Sequence, residues 1–302
     1  MEKADLNAPA QQVAGQIHCQ LCGAEMRRKA VGDTDVLLCA ACGLGRIPEM
    51  TTGPDFWLTG GADELNDRYW TAARSDMFHK ALDHLEAHGG KGRILDFGGG
   101  VGYFAECALK LGWDAYSMDI SEPAQQVAAL RLGEERSLSP EQAREFAGRC
   151  DVVTLWCVIA HVTHPLELVR QAASLLRPGG RLVITTPNFL FQGTLARVLA
   201  KLGKPYDLIS RDHILHFTPS AIGRLLRESG LLNWTYEYLG VTENCFLSRR
   251  FAKVLVPLKR VWNYAGTRTT FIGLPPLCAE LQIVGVKAPL PSGQSESPPP
   301  AT

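Results

Sequence analysis

Short apolar segments alternate with helical segments along most of the chain, and this alternation constrains the fold more than any other feature. Strands are predicted at residues 93–97, 113–119, 151–156, 181–186, 234–239 and 281–286, with a further short one within 134–138. Helices are predicted at residues 63–87, 103–110, from 122 onward, 165–176 and 219–229. Such alternation requires right-handed crossovers. It therefore predicts an α/β fold with a largely parallel sheet and helices on both faces.

A glycine-rich turn joins the first of the central strands to the helix that follows it. The turn runs from Asp96 through Gly98 and Gly100 to Gly102. Glycines allow the backbone to turn tightly and allow a ligand to approach it closely. Asp119 ends the next strand, where a carboxylate can accept both hydroxyl hydrogens of a ribose. The combination predicts a site for a nucleoside-bearing cofactor.

Two kinds of cofactor are compatible with this turn. Residues 100–105 formally match the G-x-G-x-x-A fingerprint of dinucleotide-binding proteins, so an oxidoreductase is one interpretation. Asp96 argues against it, because its charge would repel a pyrophosphate. The same charge suits S-adenosylmethionine, which carries a sulfonium and an ammonium group and no phosphate. The turn therefore favours a methyl donor.

Four motifs together resemble class I S-adenosylmethionine-dependent methyltransferases. They are the turn 96–102, Asp119, the strand 151–156 and the Pro-Gly-Gly turn within 176–184, and the similarity extends over residues 63–287. The resemblance implies a Rossmann-like sheet of seven strands, whose last strand is antiparallel and inserted beside the fifth. It also implies that Gly98, Gly100 and Gly102 contact the donor. Asp119 would bind its ribose, and Ile120 would pack on its adenine. Trp156 and Cys157 would lie between the donor and the acceptor. For Trp156, simple core packing is the alternative.

Three histidines are candidates for a general base near the transferred methyl group. His161 follows the fourth strand, and His213 and His216 lie between the fifth strand and the next helix. Both loops should open at the edge of the sheet where ligands bind in such folds. Histidine is the usual base at neutral pH, although it can equally bind backbone carbonyls and shape a loop. Ala160 stands where related enzymes often carry an acid, so a Glu–His pair is absent here.

Two closely spaced cysteine pairs precede the predicted catalytic fold. Cys19 and Cys22 form one C-x₂-C motif, and Cys39 and Cys42 form the other. This spacing is typical of a closed tetrahedral zinc site, which is structural because no ligand position remains open. The motif resembles the N-terminal zinc module of some methyltransferases of sugar and secondary-metabolite pathways. Its basic residues would alternatively suit nucleic acid.

Composition argues against some classes of partner and favours one cellular compartment. The 31 basic and 31 acidic residues balance, which argues against a nucleic-acid substrate. The other five cysteines are scattered singly. No apolar stretch is long enough to span a membrane, and no signal peptide is evident. A cytoplasmic protein is therefore expected. The pattern of residues 249–262 predicts an amphipathic cationic helix, which is interpreted as a lid, a docking face or a peripheral membrane contact.

These observations predict four regions. Residues 1–16 form a flexible leader, 17–62 a zinc knuckle and linker, 63–288 a methyltransferase domain, and 289–302 a disordered Pro/Ser-rich tail. The predicted function is methyl transfer from S-adenosylmethionine to a small biosynthetic intermediate such as a sugar or polyketide. The alternative is a zinc-knuckle binding or scaffold protein that keeps the fold without turnover.

Overall fold

The computed structural model describes residues 12–13, 16–32, 34–48, 64–203, 209, 213–240 and 249–289. The predicted linker 51–61 lies outside these residues, as do most of the predicted leader and all of the predicted tail except residue 289. The first strands are β1 (Gln12–Val13), β2 (Gln16–Ile17), β3 (Met26–Val31), β4 (Thr34–Cys39) and β5 (Gly45–Arg46). Helix α1 (Glu64–Gly89) then leads into the main sheet.

The main sheet has seven strands, and most of the predicted elements are present in it. Its strands are β6 (Arg93–Phe97), β7 (Asp114–Met118), β8 (Ser137–Leu138), β9 (Cys150–Trp156), β10 (Leu176–Pro187), β12 (Asn233–Tyr236) and β13 (Glu280–Val286). The order is β12-β13-β10-β9-β6-β7-β8, and β13 runs antiparallel to both of its neighbours. This is the Rossmann-like methyltransferase sheet that the sequence predicts.

Helices cover both faces of this sheet. They are α2 (Tyr103–Lys110), α3 (Glu122–Leu132), α4 (Pro140–Ala143), α5 (Pro165–Leu175), α6 (Phe189–Lys201), α7 (Pro219–Glu228) and α8 (Arg249–Arg268). Adjacent strand residues face opposite sides: Ile94 packs with α1 and α2, whereas Leu95 belongs to the core that includes α5 and α7. Both faces are apolar because both are covered.

A second sheet combines β3, β4 and β5 with a strand from the region after α6, whereas β1 pairs with β2 in a separate two-stranded sheet. The hairpin β3–β4 continues through β5 to β11 (Leu215–His216), in the order β11-β5-β4-β3. Arg46 pairs with Leu215, and Gly45 pairs with His216. The cysteine region is therefore joined by backbone hydrogen bonds to the segment that carries two of the candidate histidines.

Several elements differ from the sequence prediction. Helix α6 was not predicted, strand β12 ends at Tyr236 rather than at Leu239, and α8 continues past Pro257 to Arg268. Asn188 begins α6 by accepting a hydrogen bond from the amide of Phe191. Among the described residues, no helix is both long enough and apolar enough to cross a membrane.

Candidate active site

The glycine turn after β6 has the backbone conformation that its composition requires. Gly98, Gly100 and Gly102 have φ values of 78°, 53° and 83°, in the left-handed region that glycine adopts without strain. A Cβ atom at Gly98 would lie 2.7 Å from a methyl group of Val158. At Gly100 the same position is open, with no heavy atom within 4 Å. The turn thus leaves free space beside its backbone at Gly100, where a ligand can approach.

Asp119 is held against this turn. Its carboxylate accepts hydrogen bonds from the amide of Gly100 at 2.8 Å and from the amide of Ser121 at 2.9 Å. Burial raises the pKa of this carboxyl, and the two amides act in the opposite direction. The carboxylate is partly exposed at the crevice, whereas the neighbouring Ile120 side chain is exposed. Their predicted contacts with the ribose and the adenine of the donor stay predictions.

Asp96 is a buried acid at the floor of the turn. It is only 3% exposed, and Thr154 on β9 donates a 2.7 Å hydrogen bond to its Oδ1. Burial raises its pKa to about 7, because a carboxylate loses its hydration there. A positively charged ligand would restore a favourable environment for the ionised form, so the site is suited to a cation.

Arg74 is the functional candidate that sequence reasoning missed. It lies on the buried side of α1 and is the only arginine or lysine in the buried class among the described residues. Its positive charge acts on Asp96 and on Cys157, favouring the ionised form of each. A signal was present in the sequence: Arg74 extends the apolar stripe of Met77, Phe78, Ala81, Leu82 and Leu85 by one helical turn. A charged residue on such a stripe is a candidate for a functional site.

The end of β9 turns sharply at Cys157. Its φ is 59°, and it is the only non-glycine residue with positive φ in the described part of the chain. The Cys157 amide donates to both the hydroxyl (3.1 Å) and the carbonyl (3.2 Å) of Thr185. Such a conformation costs free energy and is concentrated at functional sites. The neighbouring Trp156 side chain instead packs in the core, with ring centroids 5.3 Å from Phe78 and 5.0 Å from Phe104.

The three candidate histidines form one cluster. The rings of His161 and His213 have centroids 4.6 Å apart, and those of His213 and His216 are 6.1 Å apart. His161 and His213 are half-buried, whereas His216 is buried against Phe189. His161 lies in the turn that begins beside Val158, the residue facing Gly98. His161 therefore follows β9 at the same edge of the sheet at which the glycine turn follows β6.

The four N-terminal cysteines converge on one point. All four sulfur atoms lie within 4.8 Å of one another, with Cys19 and Cys42 at 3.6 Å and Cys22 and Cys39 at 3.4 Å. A tetrahedron of Zn–S bonds about 2.3 Å long needs sulfur separations of about 3.8 Å. The arrangement has the dimensions of a closed metal site.

The two cysteine turns share one backbone pattern. In the first, the amide of Gly23 donates to Cys19, and in the second the amide of Gly43 donates to Cys39, at 2.8 and 2.9 Å. Both glycines have positive φ. A Cβ atom at Gly43 would lie 2.5 Å from the hydroxyl of Thr218, which caps α7. The second cysteine turn is therefore packed directly on the catalytic fold.

Comparisons with known proteins identify a matching family and several relatives. Residues 69–236 match a family model described as a methyltransferase domain. A ubiquinone biosynthesis O-methyltransferase of Aromatoleum aromaticum is 32% identical over 200 residues, covering 60% of this chain and 83% of the relative. Its counterpart from Thiobacillus denitrificans is 33% identical over 164 residues, covering 50% and 68%. Among solved structures, magnesium protoporphyrin IX methyltransferase from Synechocystis is 17% identical with a TM-score of 0.46, covering 78% and 92%.

The family match covers more than half of the chain and includes the glycine turn, Asp119 and His161. A dinucleotide oxidoreductase is thereby set aside. The chain belongs to the methyltransferase-domain family and is a class I S-adenosylmethionine-dependent methyltransferase.

Proposed function

We propose that this enzyme methylates a hydroxyl group of a small biosynthetic intermediate, with a histidine of the 161–216 cluster as the base. The observation that carries the proposal is the convergence of His213 and His216 on His161, which follows β9 at the carboxyl edge of the sheet. The relatives' printed name, O-methyltransferase, supports oxygen as the acceptor atom. Sugars, polyketides and quinone-type intermediates are all hydroxylated compounds to which this chemistry applies.

Four side chains would hold the donor. Asp119 would accept the hydroxyl hydrogens of its ribose, and Ile120 would cover its adenine. Asp96 would face its positive charge, and the carboxylate of its methionine part needs a cation, for which Arg74 is the buried candidate. The open space at Gly100 allows the donor to approach the backbone. When bound, the donor supplies a methyl carbon already activated by a sulfonium.

The protein then has to align and deprotonate the acceptor. Alignment of the reacting atoms is the larger contribution, since the methyl carbon is already electrophilic. His161 is partly exposed and would accept the proton of the attacking hydroxyl. His213 meets the His161 ring edge-on and would orient it. His216 is buried on β11 and would position this segment.

The cysteine cluster would hold a structural Zn²⁺ ion. Four thiolates complete the tetrahedral coordination of zinc and leave no position for substrate. The sulfur separations of 3.4 and 3.6 Å support this assignment. Because β5 pairs with β11, the metal would stabilise the histidine segment as well as the cysteine turns.

Product analysis tests the proposed chemistry. The purified enzyme is incubated with the donor and with panels of hydroxylated, amino and carbon-nucleophile acceptors, and release of the demethylated donor is followed. Methyl ethers are expected from the hydroxylated panel alone. Turnover confined to amine acceptors would refute oxygen as the acceptor atom.

A further inference from the structure

The C-terminal half of helix α8 has its apolar side turned toward water. Leu258 and Val261 are 59% and 68% exposed, and Trp262 is exposed beside them. The side that faces the protein carries Asn263, Gly266 and Thr267 instead. Asn263 accepts a 3.0 Å hydrogen bond from the amide of Ala279, so this polar side is the one that is anchored. The orientation is the reverse of that of an ordinary surface helix.

The chain after this helix adds to the same apolar surface. Phe271 and Ile272 are 82% and 74% exposed in a short turn. The segment that follows returns beside the helix, where the Leu277 carbonyl accepts a 2.9 Å hydrogen bond from the Trp262 indole. We call this surface the 258–277 face; its exposed members are Leu258, Val261, Trp262, Phe271, Ile272, Leu274 and Leu277. Large exposed apolar side chains concentrated in one short stretch of chain indicate a site of interaction.

The chain segment that carries this face is cationic in sequence. Residues 249–279 contain six arginines and lysines and no aspartate or glutamate. The rest of the chain has 25 basic and 31 acidic residues, since the whole chain has 31 of each. A neutral protein thus concentrates a positive charge where it also exposes apolar side chains. That combination is complementary to a surface with anionic head groups over an apolar interior.

The 258–277 face lies at the ligand-binding edge of the main sheet. Glu280 begins β13 and pairs with Pro187, the last residue of β10, at the edge where the parallel strands end. The glycine turn after β6 and the turn of His161 after β9 lie at this same edge. Arg260 forms a 3.6 Å ion pair with Asp76, two residues after Arg74 on α1. A surface bound to this face would therefore border the active-site crevice.

We infer that the 258–277 face docks the enzyme on an anionic phospholipid membrane. The apolar side chains enter the head-group region, and the positive charge of residues 249–279 is attracted to the anionic lipid phosphates. The docking extends the proposed function, on which it rests, by giving the acceptor a class: an amphiphilic small molecule that resides in the membrane and reaches the crevice from it.

Vesicle binding by the full chain tests this inference. Sedimentation is measured with large unilamellar vesicles of phosphatidylcholine alone and of phosphatidylcholine with phosphatidylglycerol. We expect binding only to the anionic vesicles, weakened by added salt. The Phe271→Asp/Ile272→Asp variant should lower the partition constant about tenfold or more, because two large apolar chains no longer leave water. Leu130→Asp is the matched control, since Leu130 is 90% exposed on α3 and should leave binding unchanged.

Three outcomes would overturn the inference. They are absence of binding to anionic vesicles, equal binding by the Phe271→Asp/Ile272→Asp variant, and a wild-type dimer in analytical ultracentrifugation that this variant abolishes. The last would assign the face to a second copy of the chain. Calorimetry with S-adenosylmethionine on the same preparations separates this inference from the proposed function, because donor binding does not require the face.

Discussion

The backbone amide of Gly100 and the carboxylate of Asp119 are joined by a 2.8 Å hydrogen bond that connects the glycine turn to the end of the neighbouring strand. Asp119→Ala removes this bond and the proposed ribose contact together. We expect the dissociation constant for S-adenosylmethionine to rise roughly tenfold to a hundredfold, the usual effect of losing hydrogen bonds to a charged group. Isothermal titration calorimetry measures it.

Glu122→Ala is the matched control for this substitution. Glu122 is an exposed acid at the start of α3, close in sequence to Asp119. Its removal should leave donor affinity unchanged. An Asp119→Ala protein that keeps both its melting temperature and its donor affinity would remove the ribose assignment.

Donor binding should depend on pH through Asp96. Its pKa of about 7 means that the carboxyl is partly protonated at neutral pH, because burial disfavours the ionised form. A cationic donor binds the ionised form better, so affinity should fall as the pH decreases below about 7. Asp96→Asn should weaken binding and flatten this dependence. Titration calorimetry across this range gives the comparison, and a pH-independent wild type would contradict the role of Asp96.

The same residue should affect stability in the opposite sense. The folded-state pKa of Asp96 lies above its ordinary value of 3.8, so its contribution to stability is present below that value. The contribution is lost as the pH rises to about 7, because the carboxyl ionises more readily in the unfolded chain than in the buried site. Denaturant titrations of the donor-free protein should show an unfolding free energy that decreases over this window. The decrease should be smaller in Asp96→Asn, and equal slopes would refute the raised pKa.

Substitutions of the candidate histidines should have different effects on catalysis and on stability. His161→Ala is expected to lower kcat by roughly a hundredfold or more and to remove the acidic limb of the pH–rate profile, since the base is lost. His216→Ala should mainly lower the melting temperature, because His216 is buried on β11. His79→Ala, an exposed histidine on α1, is the control. If His161→Ala changed only KM, the base assignment would be withdrawn.

Metal loss should be transmitted to the catalytic region. Purified protein is expected to contain about one zinc per chain, and Cys39→Ser should release it. Hydrogen exchange should then accelerate at Leu215 and His216, whose strand pairs with β5. Cys107→Ser provides the control, because Cys107 lies outside the sulfur cluster. Full zinc retention by Cys39→Ser, or unchanged exchange at β11, would contradict the coupling.

Much of this architecture could be predicted because its signals are local. The glycine turn, Asp119 and the two C-x₂-C pairs are each encoded within a few residues, and their spacing reflects the geometry of the ligand. The family resemblance predicts seven strands with the last one antiparallel beside the fifth, and the structure confirms this placement of β13 beside β10.

The remaining features depend on contacts between distant parts of the chain. Strand β11 has only two residues, Leu215 and His216, and exists because β5 supplies its partner. Helix α6 lacks a clear amphipathic stripe since Phe189 and Ala196 pack on the N-terminal hairpin rather than on the main sheet alone. The role of Arg74 likewise depends on its proximity to Asp96 and Cys157 at the ends of distant strands, which the helical pattern of α1 does not contain.

Because β5 lies beside β11, a protein shortened to begin at Glu64 would keep every donor-binding candidate and still be incomplete. The strand of Leu215 and His216 would have an open edge, and Phe189 would lose the cover of Val36 and Gly45. Open strand edges and uncovered aromatic rings promote aggregation. The smallest form of this enzyme that resists aggregation therefore includes the cysteine hairpins as well as the methyltransferase domain.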